Sequence, residues 1–307
     1  MEYCNTVLGK IDISELGIVL PHEHICCYYE PFYMIAKNRY LDKELLKSRA
    51  TEFLKHMKAA YNLGTMIDCT PINLGRDIEM LKDISRESGV HIIASSGFYH
   101  TEESILEPKS EEYICDMIVY DVRNTNAGIL KFAVDSEHMT KLNKKLLSAL
   151  CMAQKTLDIP LCIHTNAFLR NGTEVADFVL ECGVKPSAVT IAHSFDSDDN
   201  GYITEFLRKG FYIGFDRFYK RPNSEEFFNK KLTQLYGLWK SENSDRILFS
   251  HDTVIYNEFC PKASIMTENP YEFIFKDLLP EMKKIGFTDE EINKLMRENP
   301  ANMLMMK

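Results

Sequence analysis

The sequence has no run of about 18 apolar residues able to cross a bilayer, and its opening stretch, MEYCNTVLGKID, lacks the apolar core of a secretory signal. A membrane partner is therefore not expected, and a cytoplasmic setting is. The nine cysteines (4, 26, 27, 69, 115, 151, 162, 182 and 260) are odd in number and contain no C-x-x-C pair. That set suits neither a disulfide framework nor a structural zinc site, and reads as reduced, mostly buried small hydrophobes. Excess positive charge is missing too: the net charge of -9 supplies no concentrated positive field for nucleic acid or an anionic membrane surface. No linker rich in Pro, Gly or Ser, no low-complexity tract and no shift of composition marks a boundary. Residues 1–307 thus read as a single domain, and a chain that is 45% hydrophobic and 26% charged can fill one large core.

What the chain does contain is a repeated alternation. Eight short apolar runs occur at 17–20, 65–69, 91–95, 128–134, 160–163, 188–192, 211–215 and 246–250. Between them lie stretches with helical spacing, such as 41–63, 77–88 and 225–239. A last helix is expected from Thr288, whose hydroxyl can cap it while Glu291 completes a capping box. Continuous apolar strands that alternate with helices imply a parallel sheet covered on both faces. Eight such units in about 300 residues fit a (β/α)8 barrel, an α/β fold. The rival is a doubly wound open sheet, but no Gly-rich phosphate fingerprint follows any run.

In a barrel of this kind the active site is built at the carboxyl ends of the strands. The first run continues into PHEH, and residues two apart on a strand share a face, so His22 and His24 project together while Glu23 points away. The fourth run carries Lys131, the fifth ends in His164, the sixth in His193 and the eighth in His251 and Asp252. A single His after a strand is more often a hydrogen-bonded rim residue than a ligand, and Asp252 could cap a helix. Lys131 is harder to dismiss, because an unpaired buried ammonium is strongly disfavoured. It must meet a carboxylate or be chemically changed. Independent accidents would not place such residues at corresponding ends of five runs.

The stretches LPHEHI, IDCTPINLGRD, AGILKFA, IHTN, IAHSFDSDDNGYI, YIGFDRF, ILFSHD and ENPANML together resemble the phosphotriesterase-like branch of the amidohydrolase superfamily, nearly end to end. The resemblance implies a (β/α)8 barrel with a binuclear metal site at the strand ends. His22, His24 and Asp252 would bind the more buried ion, His164 and His193 the more exposed one, and Lys131 would bridge both as a carbamate. Zinc is the leading expectation for the two divalent ions, and Mn, Co or Fe suit the same ligands. The implied activity is hydrolysis, with a metal-bridging hydroxide attacking the carbonyl of a lactone or related ester, phosphorylated sugar lactones included. Asp252 would accept the nucleophile's proton, and Tyr99 resembles a family tyrosine at the site wall.

One departure bears on the substrate. Phosphotriesterases proper carry a proton-relaying His after the strand-seven Asp, whereas this chain reads Asp216 then Arg217, as lactonase-type members do. Arginine does not deprotonate in proteins, and an Arg217–Asp196 salt bridge is its plain structural reading. In the following loop, Lys220 and Arg221 are either a solvated basic pair or the binding site for a substrate phosphate or carboxylate. An amidase acting on N-acyl compounds and a phosphotriesterase would use the same ligands. A Schiff-base aldolase built on Lys131 leaves the histidines unexplained, and a non-catalytic barrel has no reason to keep them. The expected partner is a small-molecule substrate, with a homodimer left open.

Overall fold

The computed structural model describes residues 2–29, 41–100, 104–217, 225–241, 244–260 and 262–306. An antiparallel hairpin comes first, β1 (Tyr3–Thr6) with β2 (Gly9–Asp12). Periodicity did not announce it, because its residues are largely half-exposed. The hairpin covers the amino-terminal end of the sheet: Val7 N–H donates to Ile92 O at 2.9 Å and Asn5 Nδ2 to Ala127 O at 3.2 Å.

The eight apolar runs all become parallel strands: β3 (Ile18–Cys27), β4 (Leu63–Asp68), β5 (His91–Gly97), β6 (Ile129–Ala133), β7 (Leu161–His164), β8 (Val189–Ala192), β9 (Tyr212–Phe215) and β10 (Ile247–Phe249). Each pairs with the next in chain order. A ninth, β11 (Val254–Asn257), pairs in parallel with β3. It continues β10 beyond an interruption at 250–253, where Asp252 adopts φ 52°. Across that interruption Asp252 N–H donates to His22 O at 3.0 Å and His24 N–H to Thr253 O at 2.9 Å, so the sheet closes on itself. The fold is the expected α/β barrel.

Helices α1 (Lys43–Tyr61), α2 (Ile78–Ser88), α3 (Glu111–Thr125), α4 (Lys141–Leu157), α5 (Gly172–Glu181), α6 (Asn200–Lys209) and α7 (Glu225–Lys240) occupy the connections. Their starts follow the sequence chemistry. Asp42, Asp77, Ser110 and Thr140 each accept from a backbone N–H in the first turn. Thr288 and Glu291 form the expected capping box on the short helix α8 (Asp289–Asn293). The chain then runs into α9 (Asn299–Leu304).

Side-chain alternation divides the core into two layers. Leu20, Met66, Ile92 and Leu130 face the helices, while their neighbours Val19, Ile67, Ile93 and Ile129 fill the barrel interior with Cys69, Cys162 and Leu248. Met303 and Leu304 of α9 belong to that interior cluster and close the lower end. On β3 the alternation is broken. The register with β4 shifts between Leu20 and Glu23, at Pro21, which has no N–H for the ladder. The shift reverses the parity set by Val19 and carries His22 and His24 to the inner face.

Candidate metal centre

Four imidazoles converge where the strands end. His22 and His24 come from β3, His164 ends β7, and His193 follows β8 with φ 62°. All are buried. The Nε2 atoms of His22 and His24 lie 3.4 and 3.2 Å from Asp252 Oδ1. His193 Nε2 is 2.9 Å from His164 Nδ1 and 3.8 Å from Asp252 Oδ2. Lys131, two residues inward-facing beyond Ile129, places Nζ 2.7 Å from His22 Nε2. Among the described residues two groups of donor atoms are close enough for an ion: His22, His193 and Asp252, and, deeper in the barrel, His22, Cys69 and Cys162.

Each ring has its second nitrogen tied. His22 Nδ1 meets Asp216 Oδ2 at 2.7 Å, His193 Nδ1 meets Asp216 Oδ1 at 2.9 Å, and His24 Nδ1 meets Thr70 Oγ1 at 2.9 Å. His164 Nε2 faces Asp135 Oδ1 at 3.6 Å. Asp216, Thr70 and Asp135 escaped sequence reasoning as partners of the histidines. The signal available for Asp216 was its place directly after the seventh apolar run.

Electrostatics favour the neutral ring at His164 and His193, whereas at His22 burial and Lys131 are outweighed by Cys162, Asp252 and Asp216, which shift the pKa up. Burial, together with His193 and Arg217, holds the His164 imidazole well below its ordinary value. Burial also pushes His193 down to about 4 despite Asp216. A neutral imidazole is the form that binds a metal. Because its folded value lies below that of an unfolded histidine, His193 contributes stability above about pH 6.5 and loses it as the pH falls toward 4. The urea midpoint of metal-free protein is therefore expected to fall between pH 6.5 and 4, and a His193→Asn variant to fall less steeply. Equal slopes would remove His193 from the account. The Asp252 carboxyl is held well below the usual range, its burial outweighed by His193, His22, His24 and Arg217.

Lys131 does not meet a carboxylate. Its Nζ contacts are His22 Nε2 and, at 3.8 Å, Cys162 Sγ, and only 1% of the residue is exposed. The backbone around it is tight. A Cβ on Gly97, where φ is 122°, would lie 2.1 Å from the Lys131 carbonyl oxygen.

Arg217 forms the expected bridge to Asp196, Nη1 to Oδ2 at 3.1 Å, and also donates from Nε to Asp252 Oδ2 at 2.9 Å. Its Nη2 lies 3.5 Å from His164 Nδ1. Tyr99 packs edge-on against His164 with ring centroids 5.6 Å apart, at the site wall as expected. Burial raises its phenol to about 12. Lys220 and Arg221 lie outside the described residues.

His251 stands apart from the cluster. Its Nε2 accepts from Ile274 N–H at 3.1 Å, and its Nδ1 bonds Glu23 Oε1 at 2.6 Å. Glu23 does point away from the histidines, and it is fully buried. Its carboxylate also accepts from Ser250 Oγ and from the His251 and Thr253 N–H groups. This single side chain fixes the 250–253 interruption and hence Asp252. Glu23→Ala would leave these donors unsatisfied and is expected to cost about 3 kcal/mol or more of stability, read from urea unfolding. A loss below about 1 kcal/mol would deny it that role.

The chain matches the model of the phosphotriesterase family over residues 2–304. It is 29% identical to a phosphotriesterase homology protein of Mycobacterium tuberculosis, over 99% of this chain and 98% of that protein. It is 28% identical to an aryldialkylphosphatase of Saccharolobus solfataricus, over 96% of this chain and 97% of that one. Identity to an N-acetyltaurine hydrolase of Bos taurus is also 28%, over 98% and 97%. Among the described residues no helix is long and apolar enough to cross a membrane.

Proposed function

The chain belongs to the phosphotriesterase family, and from that premise we propose that it is a hydrolase using two divalent metal ions to cleave a lactone or related carboxylic ester, phosphorylated sugar lactones included. The observation that carries this reading is the convergence of the Nε2 atoms of His22, His24 and His193 on Asp252, with His164 against His193 and Lys131 against His22.

The donor set fits such ions. His22, His24 and Asp252 would hold one, His164 and His193 the other, and imidazole with carboxylate oxygen suits Zn first, with Mn, Co or Fe also acceptable. Lys131 supports the pairing through its own difficulty. The buried ammonium has a ring nitrogen and a thiol, not a carboxylate, as its direct contacts among the described residues, whereas a carbamate formed with CO2 would give an anionic oxygen ligand that both ions could share. When bound, the ions lower the pKa of water from 15.7 toward about 7 and polarise the substrate oxygen.

The chain's own groups then divide the work. Asp252 offers one oxygen to the cluster and is positioned to accept a proton. Its other oxygen is held by Arg217, which Asp196 holds in turn. That clamp fixes the orientation of the carboxylate, and it places a permanent cation where a relaying histidine would stand. Tyr99, its phenol pushed up to about 12 by burial, keeps its proton at neutral pH and can donate a hydrogen bond to a substrate oxygen. Lys220 and Arg221 are kept as the proposed binding groups for an anionic part of the substrate. The active unit is the whole barrel, 1–307, working on a small molecule in the cytoplasm.

A second reading, an amidase for N-acyl compounds, is favoured by the similarity to proteins named N-acetyltaurine hydrolase. Elemental analysis of metal-loaded protein is expected to give about two ions per chain, since six ligands exceed the needs of one tetrahedral ion. No more than one tightly held ion would sink the binuclear form. Turnover of lactones, phosphorylated sugar lactones, N-acyl amides and phosphotriesters measured side by side then assigns the bond cleaved.

A further inference from the structure

We infer that Asp216 is a shared anchor for both metal positions, so that the two ions bind as a coupled pair. This rests on the two-ion reading above. Thr70 steadies one ring, His24, and Asp135 steadies one ring, His164. Among the described residues Asp216 steadies two, Oδ2 holding His22 and Oδ1 holding His193, and in the two-ion reading those rings would serve different ions.

The carboxylate is itself held rigidly. It is 2% exposed, and Oδ1 also accepts the backbone N–H of His193 at 3.0 Å. Space for it is made by Gly214, where a Cβ would lie 2.3 Å from Oδ2. The two rings are stacked, with centroids 5.0 Å apart and planes 29° from parallel, so neither turns without disturbing the other.

The consequence follows from tautomer and geometry. A carboxylate accepting from both Nδ1–H groups leaves both Nε2 lone pairs free for metal. An ion that fixes His22 also fixes the Asp216 carboxylate, and thereby His193, before the second ion arrives. Ordering the second ring then costs less, which is positive coupling between the two binding events. Loss of an outer partner of this kind typically weakens metal binding about 10–100-fold.

The test compares four variants by chelator competition and elemental analysis of zinc-loaded protein, with thermal melts as a check on folding. Asp216→Asn is expected to weaken both ions by about 10-fold or more. Thr70→Val and Asp135→Asn should each weaken one ion directly and the other only by the smaller amount that the coupling transmits. Gly214→Ala, which keeps the carboxylate and crowds it, should resemble Asp216→Asn in pattern. If the single-ring variants weakened both ions as much as Asp216→Asn does, the coupling would run through Lys131 instead and the inference would fail. It would fail equally if Asp216→Asn released only one ion or neither.

Should Asp216→Asn not fold, nitrogen-15 imidazole spectra of the wild-type protein decide the matter. Both His22 and His193 are expected as Nδ1–H tautomers, and an Nε2–H form of either overturns the assignment. A wild-type chain that holds fewer than two ions would overturn both this inference and the two-ion reading. Two ions in the wild type with an indifferent Asp216→Asn would overturn this one alone.

Discussion

Replacing Lys131 with Ala is expected to remove bound metal and activity together, with the rate falling by roughly 10^3-fold or more, about 4 kcal/mol of transition-state stabilisation. The side chain is buried at the centre of the histidine cluster, 2.7 Å from His22 Nε2, and a carbamate there would be the one ligand common to both ions. Its removal therefore costs each ion an oxygen, and with the ions goes the acidified water. Two features make the experiment discriminating. Short carboxylic acids added to Lys131→Ala should restore part of the activity, because they supply an oxygen anion to the vacated space. Bicarbonate-depleted wild-type protein should likewise lose metal and recover it when CO2 is returned. A Lys131→Ala protein with full metal content and full rate would make the carbamate assignment wrong, and borohydride trapping of Lys131 with a carbonyl substrate would point to Schiff-base chemistry instead.

The parts of this site that were legible in the sequence are those governed by local alternation. Apolar, β-branched runs with polar ends fixed the eight barrel strands, and the H-x-H spacing put His22 and His24 on one face. Reading them as inward-facing was right, but the reason is the Pro21 irregularity, since the parity set by Val19 alone would have turned them outward. Thr288 with Glu291 behaved as a local signal should.

What escaped the sequence depends on groups brought together across the barrel. Asp216 reaches His22 over a separation of 194 residues, and no local pattern encodes such a contact. Glu23 was legible as facing away from the ligands, yet its burial and its role as acceptor for Ser250, His251 and Thr253 follow only from barrel closure. His251 looked from its position like a fifth imidazole of the rim. Its ring is occupied on both nitrogens, by Glu23 and by Ile274 N–H, so it serves the wall rather than the centre. The split of the eighth strand into β10 and β11 was invisible for the same reason, because it is imposed by the turn at Asp252.

Carboxylic esters or lactones should be turned over faster than phosphotriesters by roughly 10^3-fold or more in kcat/KM, equivalent to about 4 kcal/mol of differential transition-state stabilisation. The argument starts at Arg217. Its Nε holds Asp252 and its Nη1 holds Asp196, so the route from Asp252 outward passes a guanidinium that cannot give up a proton. Its burial is outweighed by the neighbouring carboxylates of Asp252 and Asp196, which raise its pKa further. A reaction that must pass a proton from Asp252 along a side-chain relay is thereby handicapped, while a lactone can return that proton to its own leaving oxygen. Arg217→His, which puts a titratable ring between Asp252 and Asp196, is expected to narrow the ratio by raising phosphotriester turnover relative to lactone turnover. The loop after β9 gives the second arm. If Lys220 and Arg221 receive an anionic tail, converting both to Ala should raise KM for an anionic lactone about 10-fold, a loss of about 1.4 kcal/mol, and leave a neutral lactone little changed. Equal effects on the two lactones would mean that the pair only supports the loop. Phosphotriester hydrolysis faster than lactone hydrolysis would overturn the lactonase reading, and faster N-acyl amide hydrolysis would replace it with the amidase.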